Sequence, residues 1–233
     1  EIRSRGLGDV YKRQLDNHFW VRRAMHSFIV DNPLNTVDFA KEVQPHLFCS
    51  VPRIYEKIYS NFIAAIENKA VLRFGLNIPI LSGIFKKKLK EAAGFGDLKF
   101  AISGAAPINP DILALFQKLD IPLFEGYGMT ENTAGATLNY LGHNKIGSVG
   151  KALPNTEIKI ANDGEVMIQG DHVMKGYYKN PEATTETIVD RWLYTGDIGK
   201  LDSDGYLFIT GRKKEIYVSS CLLYTSDAAD DKQ

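Results

Sequence analysis

Residues 99–124, KFAISGAAPINPDILALFQKLDIPLF, decide the fold class. Lys99-Phe100-Ala101-Ile102-Ser103 reads as a short strand. Gly104-Ala105-Ala106-Pro107 turns out of it. Asn109 then stands directly before Pro110, the pairing of a side-chain cap with a proline at the first helical position. Ile112, Leu113, Leu115 and Phe116 follow at helical spacing. Ile121-Pro122-Leu123-Phe124 is a second apolar strand. Strand, helix and strand with short connections predict a parallel α/β sheet. Ligands of such sheets bind where the strands end. Here those ends are Ser103–Ala106 and Gly126-Tyr127-Gly128-Met129-Thr130-Glu131.

Upstream, residues 15–45 read as mixed helix and loop, with a short helix over 35–43 capped by Asn35 or Thr36. His46–Val51 is a candidate buried strand. Pro52 opens a helix to about Asn68, with Ile54, Ile58, Phe62 and Ala65 on one face. A further helix is expected over 82–93. Its Lys86-Lys87-Lys88 and Lys90 read as a solvated face, with a membrane-facing basic patch as the sharper alternative.

After about Gly147 short strands alternate with turns. They are expected at Thr156–Ile160, Glu165–Gln169, Leu193–Thr195, Ile198–Leu201 and Tyr206–Thr210, with turns at Asn162-Asp163-Gly164 and Asp202-Ser203-Asp204-Gly205. One helix, capped by Asn180 with Pro181 first, interrupts them. The expected organisation is a leader foreign to the fold (1–14), a partial α/β subdomain (15–146) and a β-rich subdomain (147–212). A short connecting segment (213–220), which the resemblance described below makes a hinge, and a foreign tail (221–233) complete it.

The bulk composition excludes several classes. The 28 basic and 28 acidic residues cancel, so no global field favours nucleic acid or an anionic surface. Two cysteines, Cys49 and Cys221, form neither a disulfide framework nor a metal-ligand spacing, which fits a reducing compartment. Asp202–Gly205 lacks the remainder of a calcium loop and reads as a hairpin turn. His143 and His172 have no acidic or nucleophilic partner that sequence identifies.

Four segments stand in fixed order: Ser103-Gly104-Ala105-Ala106-Pro107, Tyr127-Gly128-Met129-Thr130-Glu131, Tyr194-Thr195-Gly196-Asp197 and Gly211-Arg212-Lys213-Lys214-Glu215. Gly164–Gly170 and Gly176-Tyr177-Tyr178 lie between the second and third. Each alone has a plain structural reading as a turn, a core aromatic, a cap or a basic loop. Together they resemble the AMP-forming acyl-CoA synthetases of the adenylate-forming superfamily, over about residues 45–219. Val51-Pro52-Arg53-Ile54-Tyr55-Glu56-Lys57 and Glu125-Gly126-Tyr127-Gly128 look most like the long-chain fatty acid branch.

The resemblance implies a distorted β-barrel for the β-rich subdomain and a ligase that joins a fatty acid to CoA through acyl-AMP. ATP, Mg²⁺ and CoA are its implied small molecules, with a cytoplasmic setting and peripheral membrane contact as an extension. Neither nucleic acid nor a protein partner is implied. Gly104, Ala105, Ala106, Glu125, Gly126, Tyr127, Gly128, Thr130, Asp197, Ile209 and Arg212 would line the nucleotide. Tyr127 would stack on adenine, Thr130 would meet the α-phosphate and Glu131 would hold Mg²⁺, a hard cation suited to carboxylate oxygen. Asp197 would accept from both ribose hydroxyls and Arg212 would reach ribose and phosphate. Thr130, Glu131 and Arg212 are the catalytic candidates, and Lys214 occupies the hinge position.

Two implied parts have no counterpart in these residues: a Ser/Thr/Gly-rich phosphate loop and a C-terminal domain bearing a lysine. The chain therefore reads as a fragment, expected by itself to form no acyl-CoA at a useful rate. A short-chain, aryl or amino acid substrate remains an alternative, as does a non-catalytic nucleotide-binding remnant.

Overall fold

The computed structural model describes residues 30, 35–68, 79–219 and 222–225. The expected leader at 1–14, Cys221 and residues 226–233 lie outside them. The described chain falls into two compact units. One runs up to Gly126 and includes Tyr140–Ile146; the other comprises Tyr127–Asn139 and the chain from Gly147 onward. The β-rich unit thus also takes in the turn after Tyr127, ahead of the change in sequence texture at 147.

The first unit is a parallel α/β layer. Helix α1 (Thr36–Val43) leads to β1 (Leu47–Ser50), α2 (Pro52–Asn68), α3 (Pro79–Ala92), β2 (Phe100–Ser103), α4 (Pro110–Lys118) and β3 (Leu123–Tyr127). Strands β1, β2 and β3 pair in parallel, with Phe48 opposite Ala101 and Ile102 opposite Phe124. The predicted α4 cap is present: Asn109 Oδ1 accepts the Asp111 N–H at 2.8 Å, with Pro110 in the first turn. Asn35 occupies the cap position of α1, but its side chain makes no capping bond.

The core of this unit gathers Tyr55, Ile58 and Phe62 of α2, Phe95, Ala101 of β2, and Ile112, Leu113 and Phe116 of α4. Positions 55, 58 and 62 follow one helical stripe. Ile54 and Ala65, expected on that stripe, are only half-buried at its margin. Strand β1 was expected to be buried, but its side chains are half-buried or exposed, and among the described residues it is the edge strand of its sheet. The lysine run of α3 is partly neutralised by Lys86–Asp120 at 2.9 Å and Lys87–Glu91 at 3.8 Å. That weakens the membrane-patch reading and supports a solvated face. No helix among the described residues is long and apolar enough to cross a membrane.

The second unit is a curled antiparallel half-barrel. After the short pair β4 (Thr137–Leu138) and β5 (Lys151–Ala152) come β6 (Thr156–Ile160), β7 (Glu165–Gly170), α5 (Pro181–Thr187), β8 (Ile188–Val189), β9 (Trp192–Leu201) and β10 (Leu207–Arg212). The sheet order is β10-β9-β7-β6, with β8 paired to β9. Its core is Ala136, Val166, Ile168, Leu193 and Leu207. Asn180 caps α5 by accepting the Ala183 N–H, as its sequence predicts. The Asp202–Gly205 segment is the hairpin turn expected: Asp202 Oδ1 accepts from the backbone of both Asp204 and Tyr206. A turn of 3-10 helix (Lys213–Glu215) follows β10. Beyond it β11 (Ile216–Ser219) pairs with β12 (Leu222–Thr225), so part of the expected tail forms a ribbon.

Several element boundaries depart from expectation, among them two that shape the site. Strand β3 was placed at 121–124 but runs through Glu125, Gly126 and Tyr127, whose polar and glycine residues read locally as loop. The strands expected at 193–195 and 198–201 are one ten-residue strand. Thr195-Gly196-Asp197 is a bulge within it.

Candidate functional site

That bulge builds the centre of the site. Glu165 pairs with Ile198 and Met167 with Tyr194, so Thr195, Gly196 and Asp197 together face the single residue Val166. Extra residues on one strand bend it and re-aim its side chains. Gly196 has φ of +75°, a conformation that L side chains rarely adopt. The Thr195 hydroxyl donates to the Val166 carbonyl at 2.8 Å and accepts the Asp197 N–H at 3.1 Å. A side chain therefore replaces the ladder bonds that the bulge removes.

Asp197, only 6% exposed, is held at both oxygens. The Tyr127 hydroxyl donates to Oδ2 at 2.7 Å, and Arg212 Nε donates to Oδ1 at 3.0 Å. Asp197 and Arg212 are direct cross-strand partners of β9 and β10. Burial, and then the Asp197 charge, pushes the Tyr127 hydroxyl far above its ordinary range. It therefore stays protonated and remains a donor.

A second polar cluster adjoins the same strand ends. Glu165 Oε1 accepts the Gly196 N–H at 2.8 Å. Its Oε2 lies 2.7 Å from Lys213 Nζ, which also meets Asp163 Oδ2 at 2.7 Å. Hydrogen bonds to Asp163 and Glu165 raise the Lys213 ammonium above its usual range, and the same bond lowers the Asp163 carboxyl. The sequence did not single out Asp163, Glu165 or Lys213 as site residues. Glu165 and Lys213 stood within the motif segments and Asp163 within a predicted turn, but none was given a role; the lysine is 48 residues from Glu165.

The turn after β3 depends on Gly128. Thr133 and Ala134 both have positive φ and bring the chain back over it. A Cβ on Gly128 would lie 2.3 Å from the Ala134 carbonyl oxygen. Gly128→Ala is expected to cost about 1–3 kcal/mol, because backbone and not a side-chain tip must yield. Gly83→Ala is the contrast: it lies in α3 with nothing within 4 Å and is expected to be neutral or stabilising. Urea midpoints of the two variants check this; equal shifts would show that the close approach at Gly128 is not what constrains it.

Thr130, Glu131 and Asn132 form a 3-10 turn. Asn132, not Thr130, closes it, with Oδ1 accepting the Met129 N–H at 2.8 Å. The Tyr177 hydroxyl donates to Glu131 Oε1 at 2.9 Å, a partner that sequence reading did not assign. Burial and this bond raise the Tyr177 hydroxyl. Ile209 is half-buried against the β core, and Lys214 is exposed on the 3-10 turn after Arg212. The structure thus brings together Tyr127, Asp197 and Arg212, and separately Glu131 and Tyr177. Gly104, Ala105, Ala106, Glu125 and Gly126 belong to the α/β unit. There Gly104 is buried, Ala105 takes φ of +72° and Ser103 pairs with Glu125.

Among the described residues no cluster of three or more His, Cys, Asp or Glu could hold a metal ion. Mg²⁺ is commonly held by one or two carboxylates with substrate phosphates. The partly buried Glu131 carboxylate fits that role as a single protein ligand.

His172 carries a pH dependence. Its Nε2 is enclosed without a hydrogen-bond partner, and desolvation lowers its pKa, opposed by Asp171. The unfolded chain, with a histidine pKa of about 6.5, then takes up the proton first as pH falls. This contribution to stability is present above about pH 6.5 and is lost as pH drops through the lower folded value. His172→Gln is expected to lose less stability than the parent between pH 7.5 and pH 5.5. Equal losses in urea titrations would remove His172 from the account.

The polar centre of the antiparallel half-barrel is a candidate binding site, and comparison supplies the family. The chain belongs to the AMP-binding enzyme family, whose model matches residues 18–178. It is 35% identical over 201 residues to a long-chain-fatty-acid–CoA ligase of Mycobacterium bovis, covering 76% of this chain and 33% of that protein. It is 37% identical over 147 residues to the 2-succinylbenzoate–CoA ligase of Listeria innocua, covering 61% of this chain and 31% of the relative. The Bacillus subtilis O-succinylbenzoate–CoA synthetase, solved in complex with AMP, shares the fold with a TM-score of 0.63 at 23% identity. That match covers 90% of this chain and 40% of the other. The chain spans about a third of the length of the curated relatives it matches.

Proposed function

We propose that this chain is the nucleoside-binding part of a ligase that activates a long-chain fatty acid with ATP and transfers the acyl group to CoA. The observation that carries the reading is Asp197, a buried two-oxygen acceptor presented by a bulge between a tyrosine hydroxyl and an arginine fork. A cis-diol needs such an acceptor, and the ribose hydroxyls would replace or share these donors. Arg212 would then turn its remaining N–H groups toward the ribose and α-phosphate. Thr130 would donate to the α-phosphate, and Tyr127 would place its ring beside the base. Bound Mg²⁺ would supply charge neutralisation of the phosphates through Glu131.

The chemistry is two displacements. A carboxylate oxygen of the acid attacks the α-phosphorus, the bond to the bridging oxygen breaks and pyrophosphate leaves. The CoA sulfur then attacks the acyl carbon, AMP leaves and the thiol proton passes to solvent. The chain's own contribution is to orient the nucleotide and stabilise charge at the α-phosphate. Lys213–Glu215 would begin the hinge to a further domain.

The fatty acid assignment rests on relatives named as fatty-acid–CoA ligases at 31–37% identity. An aryl acid is the second reading, favoured by the 2-succinylbenzoate–CoA ligase at 37%. Two measurements test the proposal. AMP titrated into the purified chain should give saturable heat at micromolar to millimolar ligand; none at millimolar AMP would sink the nucleotide reading. Acid-dependent ATP–pyrophosphate exchange by the full gene product, with hexadecanoate against 2-succinylbenzoate, separates the two substrates.

A further inference from the structure

We propose that Glu165 is a positioning residue that sets the nucleotide preference of this site, acting through Gly196 and Lys213 on the Asp197–Arg212 pair. The inference rests on the nucleotide reading above. Glu165 opens β7 at the sheet end where β7, β9 and β10 lie side by side. It is only 4% exposed, and a buried carboxylate is retained only where partners satisfy it. Its two partners are informative. Oε1 takes the Gly196 N–H, an amide that the bulge removes from the strand ladder. Oε2 takes Lys213, the residue immediately after Arg212.

Gly196 precedes Asp197, and Lys213 follows Arg212. One carboxylate therefore ties the two residues that flank a cross-strand ion pair of 3.0 Å. Asp163 reinforces the tie, since its Oδ1 accepts the Glu165 N–H while Oδ2 meets Lys213. The arrangement holds the Asp197 carboxylate and the Arg212 fork in register before a nucleotide arrives. Such preorganisation favours ligands that use both groups and is indifferent to those that do not.

The test compares affinity for AMP with affinity for 2′,3′-dideoxy-AMP, which lacks the hydroxyls that Asp197 would accept. Wild-type protein is expected to prefer AMP by about tenfold or more. Glu165→Ala is expected to bring the ratio close to one by weakening AMP alone. Lys213→Met is expected to lose about threefold of the preference, with Lys213→Arg restoring it. Amide hydrogen exchange at Gly196 in the ligand-free chain should accelerate in Glu165→Ala, a readout independent of any nucleotide.

A folded Glu165→Ala with the wild-type ratio overturns the proposal. Should that variant fail to fold, Lys213→Met decides, because its side chain is half exposed; an unchanged ratio there overturns it equally. If wild-type protein binds AMP and the dideoxy ligand alike, Asp197 is not the acceptor of the ribose hydroxyls and this proposal is overturned; only the absence of AMP binding sinks the nucleotide reading itself. If wild type discriminates and the variants do too, only the role of Glu165 fails.

Discussion

Asp197→Ala is expected to weaken AMP binding by about 100-fold or more. Hydrogen bonds to a charged acceptor contribute about 1.5–3 kcal/mol each, and about 1.4 kcal/mol is tenfold in affinity. The carboxylate lies at the centre of the site, with donors on both oxygens. Its removal also leaves the Tyr127 hydroxyl and the Arg212 guanidinium without their shared partner, so the pocket is expected to rearrange. Asp197→Asn keeps shape and one carbonyl oxygen and should fall between wild type and alanine. Calorimetric titration of AMP measures all three. A loss below threefold for the alanine variant would show that the nucleotide does not bind through Asp197.

The largest expected stability effect lies in the other unit. Phe116 of α4 is fully buried and meets three aromatic rings edge-on: Phe62 at 5.6 Å, Tyr55 at 6.1 Å and Phe95 at 6.4 Å between centroids. Edge-to-face pairs add to the area term. Phe116→Ala is expected to cost about 3–5 kcal/mol through lost burial and the cavity left behind. That is a large fraction of the roughly 5–15 kcal/mol that stabilises a typical domain. The urea midpoint should fall with little change in slope. A cost below about 1 kcal/mol would mean that the α/β core is not organised around this ring.

Elements governed by near neighbours in the chain were legible in the sequence. Asn109-Pro110 and Asn180-Pro181 started their helices where expected, because a cap and the N–H it satisfies are two or three residues apart. The Asp202–Gly205 turn was readable for the same reason. Strand β9 was not. Glycine and aspartate at 196 and 197 signal a turn locally, and only pairing with β7 and β10 on either side keeps them within one strand.

The candidate site divides in the same way. Tyr127, Asp197 and Arg212 were nominated by a resemblance carried on the order of motifs, and the structure joins them by two hydrogen bonds. Glu165, Lys213 and Tyr177 were not nominated. Their partners lie 31, 48 and 46 residues away, and nothing in a local window tells a paired acid from a solvated one. By itself the sequence determined the family, the fold class and the helix starts, because these rest on local periodicity, capping and motif order. Tertiary structure alone decided which carboxylates are buried and what they hold, because a buried charge is stabilised by whichever donors the sheet brings within about 3 Å.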